Sequence, residues 1–234
     1  MFLLLAACYP GPARGQFDHV TVGARAHALG GSLVVGADDA SAVFWNPAAL
    51  WSIRQPSFVF DLRRTDELRS FAASLFDPER GSFGLALWRV PEAGARSGAA
   101  AWSFPLSAQL RCGLVAALTS LDTTQSYTYG FGVDWTVGDH SQARNAPTSL
   151  PGFGELHLAA AYVGLPLSGP PLPRELRVGL GLRPVTNGPQ LLLAQHWIRH
   201  QALAHTGLEI PLAGENRFLM GVENWNIRTM RLGL

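Results

Sequence analysis

The chain has 234 residues, enough for one domain with a substantial core, and a single all-β barrel of that length is ordinary. Charged residues make up 15% against 47% apolar, where a typical soluble domain carries roughly 25% charged, so little polar material is available to cover a water-facing surface. A net charge of +1 with no basic run argues against nucleic acid as a partner, and with all 18 basic residues arginine, lysine nucleophiles and Schiff bases are excluded.

The chain opens with MFLLLAACYPGPARGQFD. The apolar run from Phe2 to Ala7 and the small residues Ala13-Arg14-Gly15 read as a short, incomplete signal peptide over residues 1–15. Leu5-Ala6-Ala7-Cys8 also fits a bacterial lipoprotein cleavage site, which stays open as an alternative. If the signal is removed, Cys112 is the one cysteine left, so no internal disulfide forms, and no Cys/His spacing suggests zinc. No apolar run reaches the ~18 residues of a transmembrane helix, so membrane residence requires a closed β-barrel.

Residues 17–51, within a segment over 16–56 that precedes the strands, do not alternate. GARAHALGGSLVVGADDASAVFWNPAALW is rich in Gly and Ala. Asp38 or Asp39 is placed to cap a short helix through Phe44, which gives way near Asn46 because Pro47 disfavours helix at the preceding residue. Such a compact non-strand segment before a barrel predicts a lumenal plug, a hatch. Its buried acids then need partners, which Arg25 and inward arginines of the strands can supply.

From Ser57 to the end, segments of about nine or ten alternating residues are separated by Gly, Pro, Asp or Asn turns, predicting eleven or twelve strands. In YTYGFGVDWTVG, Tyr127, Tyr129, Phe131, Val133, Trp135 and Val137 share one face and Thr128, Gly130, Gly132, Asp134, Thr136 and Gly138 the other. RELRVGLGLR sets Leu176, Val178, Leu180 and Leu182 against Glu175, Arg177, Gly179, Gly181 and Arg183. Segments beginning at Gly81, Gln109 and Glu155 behave alike. The polar face is built of Gly, Ser, Thr and sparse charges, which suits a crowded lumen better than open solvent. Tyr127 and Trp135 lie about 27 Å apart along one strand, roughly 20 Å of height at the usual tilt, and fall near opposite membrane interfaces. The fold class expected is therefore all-β, a transmembrane antiparallel barrel with an N-terminal hatch; a secreted lipocalin-like or sandwich protein is the alternative. Residues 138–154 are the best candidate for an outer-face loop, and RTMRLGL stops in mid-pattern at Leu234, as a C-terminally truncated barrel would.

The opening motifs, Gly23 to Ala26, Gly30-Gly31, Asp38 to Ser41 and Trp45 to Leu50, resemble the start of the FadL-type outer-membrane family, and more closely its PorV/PorQ-like branch. The resemblance covers about thirty residues densely and the rest only as a barrel pattern. It implies a barrel, of fourteen strands in the full family, with a hatch folded inside. In the fatty-acid transporter branch the hatch gates a hydrophobic ligand, and in the PorV-type branch the barrel is a partner of a protein-secretion system.

The candidate hatch or gate residues are Arg25, Asp38, Asp39, Trp45, Asn46 and Pro47, and the candidate lumen residues are Asp134, Glu175, Arg177 and Arg183. Each has a plainer reading: Asn46-Pro47 as a structural turn, the two acids as cap and arginine partner, and Trp45 as packing. His27, His157, His196 and His205 are too scattered to form a metal cluster. Ser32 and Ser41 lack a nucleophile elbow, and Gly179 and Gly181 belong to a strand rather than a phosphate loop. The sequence thus predicts a non-enzymatic barrel without cofactor or metal, in contact with outer-membrane lipid. Its partners are secretion-system proteins or, alternatively, a hydrophobic ligand such as a long-chain fatty acid. A soluble secreted β-protein or a gene fragment is the second alternative.

Overall fold

The structure, a computed structural model, describes residues 22–62, 69–90, 95–121, 124–137, 154–169, 174–185, 188–198, 201–212, 216–223 and 230–233. The proposed signal peptide therefore lies outside the described residues, as does most of the 138–154 connection. Two short helices, α1 (Ala24–Ala28) and α2 (Ala42–Trp45), and a 3-10 helix over Pro47–Ser52 come first. They are followed by β1 (Ser57–Leu62), β2 (Arg69–Asp77), β3 (Gly81–Val90), β4 (Ala95–Pro105), β5 (Leu110–Leu121) and β6 (Thr124–Val137). The second half contains β7 (Glu155–Ser168), β8 (Glu175–Arg183), β9 (Gln190–Ile198), β10 (Gln201–Pro211), β11 (Arg217–Glu223) and β12 (Met230–Gly233).

The strands form one sheet in sequence order, β1 through β12, each antiparallel to the next and without a crossover. Among the described residues no helix is long and apolar enough to cross a membrane. The expected alternation holds, with its two faces inverted relative to a soluble protein. Along β6, Tyr127, Tyr129, Phe131, Val133 and Trp135 are exposed while Ser126, Thr128, Gly130, Gly132, Asp134 and Thr136 are buried. On β1, Phe60 is 74% and Leu62 78% exposed. The buried side of β2 to β4 carries Ser70, Ala72, Ser74, Ser82, Gly84, Ala86, Ser97, Ala99, Ala101 and Ser103, together with the large side chain of Trp88. A sheet with its apolar face outside and its polar face buried is the arrangement of an outer-membrane-type β-barrel, whose outer solvent is hydrocarbon.

What buries the inner face is the N-terminal segment from Val22 to the start of β1, termed the hatch for its position alone. Leu29, Leu33, Val34, Val35, Val43, Phe44 and Leu50 are almost completely enclosed, and the segment is wrapped by wall residues all round. The close approach depends on glycine at specific wall positions. A Cβ on Gly132 of β6 would collide with the Asn46 side chain, one on Gly113 of β5 with the backbone of Pro47 and Ala48, and one on Gly221 of β11 with the backbone of Leu29 and Gly30. Gly84, Gly179 and Gly207 stand in the same relation to Val43, Val34 and Ser32. On the hatch side, Gly30 (φ 62°) lies against the Val222 backbone, where a Cβ would approach within 2.8 Å.

Among the described residues no ladder pairs β1 with β12. That seam is spanned from inside by α1: the Gly23 N–H donates to Asp61 Oδ2 of β1 at 3.0 Å, while α1 packs against β11 and β12. The near end of the barrel is the one at which the hatch runs into Ser57. By the up-and-down order, the 78–80 and 106–109 turns and the strand ends Val137 and Glu155 also lie there.

Gly132→Val tests the seating. Overpacking this contact is expected to destabilise the folded barrel by about 1–3 kcal/mol and to expose the hatch to protease in detergent. A variant with unchanged unfolding midpoint and an uncut hatch contradicts the assignment of this contact.

Candidate functional site

The hatch is held by two polar clusters and one asparagine. Asn46 is fully buried and uses its whole side chain: Nδ2 donates to Val34 O (3.2 Å) and to Val133 O of β6 (3.1 Å), and Oδ1 accepts from the Ala48 N–H (3.1 Å). Its backbone is extended (φ −157°, ψ 107°), so α2 stops at Trp45 and the 3-10 helix starts at Pro47, as the residue before a proline dictates. Asn46 therefore caps the second helix, ties the hatch to itself and pins it to the wall.

Capping of the first of these helices differs from expectation. α2 begins after Ser41 with no side-chain cap bond. The Ala42, Val43 and Phe44 N–H groups bond the carbonyls of Asp39, Ala40 and Ser41, leaving no orphan donor for an aspartate to reach. Asp39 instead closes a local turn by accepting from the Ser41 N–H at 2.8 Å. Asp38 faces two arginines: Arg25 Nη1 at 2.6 Å and Arg217 Nη1 at 3.1 Å.

These contacts belong to the near-end cluster. Arg25 on α1 also donates through Nη2 to Glu209 Oε2 of β10 (2.6 Å) and through Nη1 to the Gly36 carbonyl (3.0 Å), and Arg217 reaches Glu209 Oε1 at 2.8 Å. Glu209 is buried, whereas Asp38 and Arg217 are about half exposed at the barrel mouth. Further round the same end, Arg183 pairs with Glu155 (2.9 Å) and donates to Gln190 (2.8 Å). Glu155 meets His157 Nε2 at 2.7 Å. His157 Nδ1 lies 3.2 Å from Thr136 Oγ1, which bonds Asp134 at 3.5 Å. Arg111 is the cross-strand neighbour of Asp134 and donates to Ser52 Oγ of the hatch at 2.7 Å.

The second cluster lies towards the far end. Arg177 of β8 is buried and forms a two-pronged pair with Glu175, Nε to Oε1 at 2.6 Å and Nη2 to Oε2 at 2.5 Å. Its remaining arm donates to the Phe44 carbonyl and, at 3.4 Å, to the Trp45 carbonyl, satisfying the C-terminal end of α2. The guanidinium also lies over the Trp45 ring, 5.3 Å from its centroid. The Trp45 indole N–H donates to Val22 O at 3.3 Å. His196 of β9 approaches Glu175 at 3.4 Å and stacks on His205 of β10 with centroids 4.1 Å apart. His205 Nδ1 contacts the Gly30 carbonyl at 2.6 Å and, since a carbonyl only accepts, must carry the proton there. Phe44 completes the apolar side, edge-on to Trp88 at 5.2 Å.

No protein-family model and no curated protein matches this chain. In form it is similar to two solved structures. One is a KdgM porin, with a TM-score of 0.44 and 7% sequence identity over 72% of this chain and 88% of that one. The other is a KdgM porin in complex with disordered oligogalacturonate, also with a TM-score of 0.44 and 7% identity, over 68% of this chain and 85% of that one.

The expected site residues thus divide. Arg25 and Asp38 meet in the near-end cluster, Asp39 serves its own turn, and Asn46 and Pro47 sit against β5 and β6. Asp134, Glu175, Arg177 and Arg183 all point inward, but Glu175 and Arg177 share one cluster with Trp45 while Asp134 and Arg183 lie near the other end. Sequence reasoning missed Glu209, Arg217, Gln190 and inward Trp88. Glu209 had a legible signal: His205, Gly207 and Glu209 alternate with Leu208 and Ile210. Among the described residues no group of three His, Cys, Asp or Glu is placed to hold a metal ion.

Arg177→Met is expected to cost about 3–5 kcal/mol by leaving Glu175 buried without its cation and the α2 carbonyls without a donor, whereas Glu175→Leu combined with Arg177→Met recovers most of the loss. Unfolding followed by gel mobility reads both. A single variant as stable as the parent contradicts this role of Arg177.

Proposed function

We propose that the chain is a bacterial outer-membrane β-barrel of the FadL/PorV-like group, with a signal peptide over residues 1–15, a hatch over 16–56 and a barrel from 57 onward. In this reading it is non-enzymatic and serves as a component or partner of protein secretion or surface assembly. The observation that carries it is the seating of the hatch: it rests directly on wall glycines in β5, β6 and β11, and hydrogen bonds of Asn46, Arg177 and His205 fix it to the wall. A plug held in this way favours a sealed scaffold over an open conduit.

A second reading, passive passage of a hydrophobic small molecule, draws on the apolar group of Phe44, Trp45 and Trp88 beside the Asn46-Pro47 break. A soluble secreted β-protein finds no support in an outer wall bearing Phe58, Phe60, Leu62, Leu85 and Leu87.

The sealed-scaffold reading predicts no stable conductance steps in planar bilayers and recovery of secretion-system proteins by crosslinking in native membranes. Porin-like steps with no crosslinked partner overturn it. Uptake of a labelled fatty acid that depends on residues 22–56 shifts the conclusion to the second reading.

A further inference from the structure

The outer face carries one row of charge that the hatch and lumen do not explain. At the far end, the registers align Leu62 of β1, Arg69 of β2, Arg89 of β3, Arg96 of β4, Ser120 of β5 and Gln125 of β6 across neighbouring strands. Arg69 and Arg89 are direct cross-strand partners, as are Arg89 and Arg96, and all three are exposed. Directly opposed residues have Cβ atoms about 4.5–5.5 Å apart, and like charges so placed repel. No carboxylate occupies this row, and among the described residues none of the three guanidiniums makes a hydrogen bond or ion pair. Among the described residues, the acid next to this row on β1, Asp61, points inward to Gly23.

The level of the row is given by its neighbour. Two residues towards the middle of the barrel, the same registers align Phe60, Phe71, Leu87, Gly98, Leu118 and Tyr127. This is an apolar outward row ending in a tyrosine whose hydroxyl reaches back to Gln125 at 3.2 Å. Three arginines bordering an apolar band, level with the polar tip of an interfacial tyrosine, stand where lipid headgroups begin. With strands about 4.8 Å apart the three span about 10 Å of wall. Guanidinium forks match phosphate oxygens in two-pronged geometry, and an anion between them removes the repulsion that the bare row carries.

We propose that Arg69, Arg89 and Arg96 form a binding site on the barrel exterior for the phosphate of an anionic lipid headgroup. The site rests on the reading of the outward face as lipid-facing and is independent of what the hatch does.

The test uses the full chain, purified in mild detergent and loaded with phosphatidylglycerol or, as baseline, phosphatidylcholine, with retained lipid counted by native mass spectrometry. Phosphatidylglycerol is expected to stay bound to the parent. Retention should fall roughly tenfold or more in R69Q/R89Q/R96Q and remain unchanged in R80Q, which removes a charge from the 78–80 turn at the other rim. Excess inorganic phosphate should not displace the lipid. Equal retention by parent and triple variant, an equal loss in R80Q, or full displacement by inorganic phosphate each overturns the proposal. Heat-modifiable gel mobility checks that the variants fold; if the triple variant does not, R89Q alone is read the same way. A parent that fails to insert in membranes contradicts the barrel reading itself, a result distinct from an inserted barrel that retains no lipid.

Discussion

A polypeptide folded inside a β-barrel has to satisfy its own backbone groups without the help of regular strand pairing, and the rest of this structure depends on how that is done. Helices of four to six residues leave most of their terminal N–H and C=O groups without intrahelical partners. Here the missing partners come from a side chain of the hatch and from the wall: Asn46 for the start of the 3-10 helix, Arg177 for the end of α2, and His205 for the Gly30 carbonyl. Those partners reach the backbone because neighbouring wall positions are glycine. Side chains at Gly113, Gly132 and Gly221 would push the hatch away and leave its polar groups stranded in a buried space. Lumen glycines and buried polar bonds are two halves of one constraint.

The same constraint accounts for the composition. A chain whose outer surface faces hydrocarbon needs few charges outside, and a lumen filled by polypeptide needs small residues rather than a solvated polar coat. Among the described residues, charges gather in the near-end group around Arg25, Glu209 and Arg183, the far-end group around Arg177, and the exterior row of Arg69, Arg89 and Arg96. Buried pairs of this kind contribute little net stability over apolar packing, yet removing one member is costly, so they fix one seating of the hatch more than they strengthen it.

Much of the fold was legible in the sequence because a barrel wall between lipid and a plug produces a sharp period of two. Tyr127 to Val137 and Leu176 to Leu182 could be assigned to faces without any knowledge of their neighbours, and the break at Asn46-Pro47 followed from local sterics alone. What was not legible depends on pairings distant along the chain. Arg25 and Glu209 are separated by 184 positions, and nothing local in either segment announces the other. The expected aspartate cap failed because backbone carbonyls of the preceding turn already occupied the donors. Trp88 follows the alternation of β3 and points inward, against the general smallness of the lumen face, because Phe44 provides an aromatic partner there.

The central claim is that lipid lies outside the sheet and the hatch fills its inside. Spin labels placed singly on β3 at positions 83, 85, 87 and 88, in a cysteine-free background with Cys112 replaced, test it most directly when the protein is reconstituted in lipid and read with oxygen and a water-soluble nickel chelate. Oxygen access without nickel access is expected at positions 83, 85 and 87, and access to neither at 88, where the label takes the place of the buried Trp88 ring beside Phe44. Nickel access at position 88 would mean an open, water-filled lumen, and nickel access at 83, 85 and 87 would mean that this face meets water rather than lipid.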